Sequence, residues 1–304
     1  MIDLEKWKKA CVNIEGATDS AEYVSNEREL RKRFFNRELS PEEYSEEMRR
    51  IGESRGLRMH GTAIYLKHED KKYLITARHV LFDKLQAERT ISDFPNIPQH
   101  MIDNKIFNII FFRTNYENYL KGQGFENTFL MNLGTGPTEF HPYTFSPTRD
   151  IAIISLNRTR GIVDKLDELG YIPITLDDIN DHPCGEGSDV VAIGFPGSTS
   201  TVGIVELSQT ERLWASNAVS LPVISYGKVA MLHDNLDYYW ADISIYPGNS
   251  GGPLIEDNKL VGIVCAQATV EQVRIPFGHI LKSYFIKELL DQQIQKDANR
   301  MADF

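Results

Sequence analysis

The chain has 304 residues, of which 41% are hydrophobic and 25% are charged, and its formal net charge at pH 7 is −10. This length suits two ordinary domains or one double-barrel unit, and the composition is that of a globular protein. The acidic balance, without any block of Lys and Arg, excludes an obvious nucleic-acid footprint, so we expect no nucleic-acid partner.

The first residues and the cysteines indicate a reducing compartment. Residues 1–16 lack the apolar core of a signal peptide. No segment contains the run of about 18 uninterrupted apolar residues that a membrane span needs. Cys11, Cys184 and Cys265 are odd in number and far apart, which is a poor basis for disulfides. We therefore expect a cytoplasmic protein without a membrane partner.

Residues 1–57 are rich in charges of both signs and read as three helices. Helical spacing predicts a first helix that stops at Gly16, and a second over about 21–38. A third begins at Ser40, with Glu43 as the partner in a capping box. The apolar residues behind this pattern are Leu4, Trp7, Cys11, Ile14, Leu30, Phe34, Phe35, Tyr44, Met48 and Ile51. Three short helices bury too little to fold alone, so we expect them to pack on the body that follows.

From Gly61 onward the pattern changes to short strands rich in Val, Ile, Tyr and Phe. The predicted strands are a hairpin over 62–76 and the segments 106–113, 128–133, 150–156, 189–194, 201–207, 223–231, 238–245 and 260–267. Many short strands without alternating helices favour a sandwich or barrel over a βαβ fold. The stretch from about 84 to 104 reads as a surface insertion, and a helical pattern near 279–296 closes the chain.

The strongest chemical signal is the stretch 248–254, with the sequence GNSGGPL. Flanking glycines leave the hydroxyl of Ser250 uncrowded and allow turns that aim two backbone N–H groups at one point, as an oxyanion hole requires. The donors would be the N–H groups of Gly248 and Ser250. A bystander serine in a Gly-rich turn is the alternative, but the full motif between two predicted strands is far more specific.

A nucleophilic serine needs an adjacent base, and the base needs an acid on its other ring nitrogen. His79 follows the predicted strand LITAR, and Asp150 opens the apolar strand DIAIISL. Each residue alone is more often an ordinary histidine or a turn aspartate. Together, in the order His, Asp, Ser and each at the edge of a β element, they predict a triad with Ser250 as nucleophile.

In these motifs the sequence resembles the trypsin-like (chymotrypsin-fold) serine proteases, over about residues 58–292. TARH matches the family's TAxH motif, DIAIISL its DIAL strand, GNSGGPL its nucleophile loop, and VGIVCAQ the strand edge that binds substrate backbone. The phrase DISIYPGNS at 242–250 is most similar to the HtrA-type bacterial branch. The resemblance implies an all-β fold of two six-stranded antiparallel β-barrels (chymotrypsin-like), here with an N-terminal helical extension and a C-terminal helix.

The resemblance also implies how the chain is divided and what each part contributes. The expected domains are a helical extension (1–57), a first β-barrel with His79 and Asp150 (58–185), and a second β-barrel with Ser250 and the C-terminal helix (186–304). The oxyanion hole would form at Gly248, Asn249 and Ser250, and the reaction would need no metal and no cofactor.

Three departures from the family bear on regulation. Asn249 stands where digestive members carry the Asp that pairs with a newly cut N-terminus, so we predict no activation of the trypsinogen type. Val80 replaces the usual Cys after the base, so the disulfide at that place is absent. No PDZ-like segment is recognised after the protease body, so we expect the usual HtrA regulatory module to be missing.

The motif alignment predicts a specificity pocket without an acid at its base. Trypsin-like basic specificity needs a carboxylate where this chain has Ser244. We therefore predict a shallow pocket that accepts small or medium apolar side chains. The residues expected to bind substrate are Ser244, Ile245, Cys265, Ala266, Gln267 and Ile275.

Three other functions fit parts of the sequence. A protease fold that has lost catalysis would act as a binding module whose helical extension docks a partner. An esterase fits the G-x-S-x-G string at 248–252, but its acid and base should follow the serine in the chain. An effector that engages residues 1–57 would switch on cleavage of one dedicated cellular protein. The sequence as a whole predicts a serine endopeptidase for protein or peptide substrates. Residues 1–57 would brace the first barrel, dock a regulatory partner, or cover the cleft as an inhibitory element.

Overall fold

The computed structural model describes most of the chain, as two antiparallel β units and nine helices within the described ranges. Those ranges are 2–51, 57–103, 105–107, 109–112, 129–133, 141–157, 160–204, 206, 217–271 and 273–302. Residues 104, 108, 113, 128, 205 and 207, which belong to predicted elements, lie outside them. No helix within the described ranges is long and apolar enough to span a bilayer.

The first β unit is an antiparallel sheet of seven strands. In spatial order they are β5 (Phe129–Asn132), β4 (Ile109–Phe112), β1 (Cys11–Thr18), β2 (Leu57–His68), β3 (Lys71–Thr76), β7 (Ala152–Ser155) and β6 (Tyr143–Phe145). Alternate residues face opposite sides. Val12 and Leu74 pack in a core on one side of the sheet. Ile64 and Ile75 lie on the other side, in a core shared with Ile193 of the second β unit.

The second β unit is a closed barrel of six strands with an apolar interior. In spatial order they are β11 (Val223–Met231), β12 (Tyr238–Asp242), β15 (Val273–Lys282), β14 (Lys259–Val270), β13 (Pro253–Glu256) and β8 (Asp189–Gly194). A separate two-stranded ribbon pairs β9 (Thr201–Ile204) with β10 (Ala218–Ser220). This barrel agrees with the predicted architecture, whereas closure of the seven-stranded sheet into a six-stranded barrel stays a prediction.

The helices lie at the ends of the chain and in the connections. They are α1 (Leu4–Ala10), α2 (Ala21–Phe35), α3 (Pro41–Ile51), α4 (Arg78–Leu81), α5 (Lys84–Asp93), α6 (Gln99–Asp103), α7 (Arg160–Glu168), α8 (Gly197–Ser200) and α9 (Phe285–Ala302). The capping box predicted for α3 is confirmed, since Ser40 N–H donates to Glu43 at 2.8 Å and Glu43 N–H to Ser40 Oγ at 3.1 Å. The stretch 84–104 contains α5 and α6.

The prediction of one helix running through Ile14 is wrong. α1 ends at Ala10, and β1 follows at once, antiparallel to β2 and to β4. The spacing of Cys11 and Ile14 fits a helix, but pairing with strands far away in sequence decides the conformation, and a local pattern does not contain that pairing. Part of the predicted helical extension is therefore a strand of the first sheet, and α2 and α3 form an excursion between β1 and β2.

The prediction of a helix from residue 279 is also wrong at its start. His279 and Ile280 belong to β15, opposite Trp240 and Tyr239 of β12, and α9 begins only at Phe285. The rest of the pattern is confirmed, because the helix buries an apolar side in the shared core. A buried carboxylate fixes it to the first sheet: Asp297 accepts hydrogen bonds from Ser155 Oγ at 2.6 Å and Gln293 Nε2 at 2.9 Å.

Candidate active site

The strand order brings His79 and Asp150 to the same end of the first sheet. β3 and β7 are antiparallel neighbours with Thr76 opposite Ala152. His79 follows β3 in the one-turn helix α4, and Asp150 directly precedes β7. Residues just after one antiparallel strand and just before its partner lie side by side, so the two side chains meet.

Asp150 holds His79 at two points. Asp150 Oδ2 lies 2.7 Å from His79 Nδ1, and Asp150 Oδ1 accepts the backbone N–H of His79 at 2.9 Å. Burial disfavours the charged carboxylate, but the hydrogen bonds and charge of His79, with the thiol of Cys265, outweigh it, so the pKa of Asp150 lies below its usual value. These two contacts fix the orientation of the His79 ring through its Nδ1 edge.

Ser250 lies in the turn before β13, in contact with both β units. Its carbonyl accepts the backbone N–H of Thr62 at 2.9 Å, and its hydroxyl donates to the carbonyl of Cys265 at 3.2 Å. Among the hydrogen bonds of the described residues, the hydroxyl makes this one and none to His79. The structure thus brings His79 and Asp150 together and turns the hydroxyl of Ser250 toward Cys265.

The backbone around Ser250 forms a tight turn that needs glycine. Asn249 N–H donates to Tyr246 O at 2.9 Å, and Gly248 has φ +105°. A Cβ on Gly248 would lie 2.2 Å from Phe195 O, so only glycine fits. Within the described part of the chain, the N–H groups of Gly248 and Ser250 have no protein acceptor, whereas that of Asn249 is already taken.

Thr62 fastens this turn to β2. Its hydroxyl donates to Gly248 O at 2.8 Å and accepts the backbone N–H of Phe195 at 3.0 Å. The hydroxyl of Thr76 in turn donates to Thr62 O at 2.8 Å. The sequence pattern contains no signal for Thr62, since a threonine in a strand has no distinctive motif.

The predicted substrate-binding residues occupy different places. Ala266 is exposed, and Ser244 is half-buried. Gln267 and Ile275 are brought together, because Gln267 Nε2 donates to Ile275 O at 3.0 Å. Ile245, only 1% exposed, lies in the core of the second barrel rather than on an open wall.

Cys265 and Ala266 of the predicted site have neighbours that the sequence did not indicate, which are Asp150 and His279. Cys265 is buried with its Sγ 3.6 Å from Asp150 O, and burial, with the charge of Asp150, raises the pKa of this thiol. His279 lies opposite Ala266 in the sheet and packs against Tyr238 and Trp240, with ring centroids 4.3 and 5.1 Å away. Burial lowers the pKa of His279, and the charge of Asp150 partly opposes this.

Comparison with known proteins points to one family. The sequence model of the trypsin-like peptidase domain matches residues 61–263, which is more than half of the chain. A curated relative is the serine protease PepD of Mycobacterium tuberculosis (strain ATCC 25618 / H37Rv), which is 35% identical over 128 residues. That match spans 41% of this chain and 23% of the length of PepD.

Solved protease structures also match the chain, at low sequence identity. The active form of the Rv3671c protease from M. tuberculosis is 13% identical, with a TM-score of 0.45, and the alignment covers 95% of this chain and 82% of that one. The HtrA-type protease AlgW, solved with a decapeptide, is 16% identical, with a TM-score of 0.48 and coverages of 96% and 66%.

Proposed function

The chain belongs to the family of trypsin-like serine peptidases, and we propose that it is an endopeptidase that cleaves peptide bonds through Ser250, His79 and Asp150. One observation carries the proposal: Asp150 holds His79 at two points, and Cys265 contacts both Asp150, through Sγ at 3.6 Å, and the hydroxyl of Ser250, through its carbonyl at 3.2 Å. A carboxylate, an oriented imidazole and a hydroxyl at a glycine turn are the parts that acyl transfer requires.

The proposed reaction begins with a rotation of the Ser250 side chain. Its hydroxyl leaves the carbonyl of Cys265 and turns to His79 Nε2, which takes the proton as Oγ attacks the peptide carbonyl. The ionised Asp150 stabilises the imidazolium that forms. His79 then gives the proton to the leaving amine, and water, activated by His79 in the same way, hydrolyses the acyl-enzyme.

We propose that the N–H groups of Gly248 and Ser250 bind the negative oxygen of the tetrahedral intermediate. Their lack of a protein acceptor in the described structure supports this role. Asn249 would contribute as part of the turn, since its own N–H is bonded to Tyr246 O.

Gly248→Ala tests this oxyanion site. The added Cβ meets Phe195 O and a residue with φ +105° is strained, so the turn must change shape. We expect kcat to fall by about 10²- to 10³-fold with a smaller change in KM, because the donors act on the transition state. Gly203→Ala, where a Cβ has open space, is the matched control, and equal kcat losses in both variants would contradict the assignment.

We further propose that the enzyme is regulated through α2 and α3 and acts on a dedicated protein substrate. No side chain of α3 is buried, and Phe35 at the end of α2 is 79% exposed. Both helices lie between β1 and β2, and β2 carries Thr62, which holds the oxyanion turn. A partner bound to these helices would act on the turn through β2.

The experiment is hydrolysis of quenched peptide pools by the purified chain, with and without cell extract. A second form has residues 21–51 replaced by a Gly-Ser linker. We expect cleavage mainly after small or medium apolar residues, because Ser244 supplies no carboxylate, and a response to extract that the linker form lacks. Dominant cleavage after Arg or Lys would contradict the proposed apolar specificity pocket. An equal response to extract in both forms would contradict regulation through α2 and α3. No cleavage in any condition would contradict the proposed endopeptidase activity.

A further inference from the structure

A pocket of about 370 Å³ opens directly beside His79. Its walls are Arg78 and His79 of α4, Phe82, and the stretch 147–150 that leads to Asp150. Two of these residues, Arg78 and Arg149, carry guanidinium groups. A pocket that includes the proposed catalytic base and two cationic side chains can select among substrates by charge.

Arg149 is fixed in place with donors to spare. Its Nε donates to Asp237 Oδ2 at 2.8 Å, and its guanidinium carbon lies 3.9 Å from the ring centroid of Phe285. Its side chain is 29% exposed. Within the described residues its two terminal nitrogens, with four N–H groups, have no hydrogen-bond partner. A guanidinium that is fixed through Nε and has both terminal nitrogens unpaired can bind a carboxylate through two parallel hydrogen bonds.

The other charged groups around the pocket leave room for an anion. Arg78 lies with its guanidinium carbon 4.6 Å from the ring centroid of Phe145 and donates to Pro147 O at 3.2 Å. Both oxygens of Asp150 accept from His79, and Asp237 accepts from Arg149. Glu288 lines a second pocket, which shares Arg149 with this one. Of the carboxylates named here, Asp150 and Asp237 therefore have hydrogen-bond partners on the protein, and Glu288 belongs to the neighbouring pocket.

A bound peptide would pass the mouth of this pocket. The strand edge at Cys265 contacts both the nucleophile and the acid, since its carbonyl lies 3.2 Å from Ser250 Oγ and its Sγ 3.6 Å from Asp150 O. A peptide along this edge, with its carbonyl at Ser250, advances about 3.3 Å per residue. Its side chains within about three residues of the cleaved bond can reach the pocket.

We propose that this pocket binds a Glu or Asp side chain of the substrate close to the cleaved bond, and that Arg149 is the residue that selects it. The inference rests on the proposed peptidase function and names its substrate class. Phe82 and Pro147 supply apolar walls for the methylene groups, and the open edge of Arg149 takes the carboxylate.

The test uses hexapeptide pools that are random except for one position, scanned along the peptide and held as Glu, Gln or Lys. Cleavage by the full chain gives kcat/KM, and anisotropy of labelled pools with Ser250→Ala gives binding without turnover. At low ionic strength we expect kcat/KM to be about tenfold higher for Glu than for Gln at one position, as a charge-assisted hydrogen bond implies. The preference should shrink as salt is added, because salt screens a partly exposed pair.

Two variants with opposite expected effects test whether Arg149 causes the preference for Glu. Arg149→Gln should abolish it, and Asp237→Asn should increase it severalfold, because the amide removes a negative charge beside Arg149 while its oxygen can still accept from Nε. Lys228→Gln is the matched control: Lys228 of β11 pairs with Asp189 at 2.6 Å, does not line this pocket, and should leave the preference unchanged. Asp237→Asn keeps the test decisive if Arg149→Gln does not fold.

The outcomes separate the two proposals. Equal cleavage and equal binding of Glu and Gln pools at every position would overturn the inference and leave the peptidase function standing. A Glu preference that survives in Arg149→Gln would also overturn it. Selective binding of Glu pools by Ser250→Ala, with no cleavage by the full chain, would support the pocket and contradict the proposed function.

Discussion

Replacing Ser250 with alanine is expected to lower kcat for peptide hydrolysis by about 10⁵- to 10⁶-fold, because no other group supplies the attacking oxygen. The protein should remain folded. The Ser250 hydroxyl makes one described hydrogen bond, to Cys265 O, whereas the turn is held by backbone bonds and by Thr62. Peptide affinity should therefore change little, and the measurement is kcat and KM on the best cleaved pool.

The matched control is Ser225→Ala, a serine on β11 of the same barrel that lies outside the proposed site. It should keep hydrolysis within about twofold of the full chain, since most surface changes have small effects. If Ser250→Ala retained hydrolysis comparable with that control, another group would be the nucleophile and the proposed triad would be wrong.

Replacing Asp150 with asparagine is expected to lower kcat by about 10⁴-fold while the geometry persists. The side-chain amide of an asparagine can donate to Nδ1 of His79, which would leave the ring proton on Nε2. A protonated Nε2 cannot accept the proton of the Ser250 hydroxyl. The imidazolium formed during attack would also lose its counter-charge. The measurement is kcat over a range of pH, together with the free energy of unfolding in urea.

The depressed pKa of Asp150 sets the sign of the pH effects. A carboxylate with a folded pKa below its unfolded value stabilises the protein above the unfolded pKa, and this contribution is lost as the pH falls through the folded pKa. Asp150→Asn should remove that contribution, whereas Asp234→Asn, on the exposed loop before β12, should not. Equal kcat in the two variants would show that Asp150 does not orient His79.

The family could be predicted from the sequence because its motifs are short continuous segments. His79 follows β3, Asp150 precedes β7 and the glycines around Ser250 precede β13, and three ordered motifs restrict the fold to one family. The meeting of His79 and Asp150 follows from the pairing of β3 with β7. Their roles in catalysis remain a proposal.

The parts that could not be predicted depend on contacts between distant segments. Cys11 and Ile14 fit a helix locally, yet β2 and β4 pair with them and make a strand. Thr62 and Arg149 belong to no motif. Only the fold brings Thr62 into hydrogen-bond contact with Gly248 and places Arg149 in the same pocket as His79. Ile245 follows Ser244 directly in sequence and falls in a predicted strand, but β12 ends at Asp242, and packing of the irregular segment after it places Ile245 in the barrel core.

The central claim is that Ser250 is a nucleophile activated by His79, and covalent labelling with a fluorophosphonate tests it most directly. The adduct is mapped by peptide mass spectrometry in the full chain, in His79→Ala and in Ser250→Ala. We predict a single adduct on Ser250 that forms in the full chain and is lost in both variants. An adduct on another residue, or labelling of Ser250 that proceeds as fast in His79→Ala, would contradict the account.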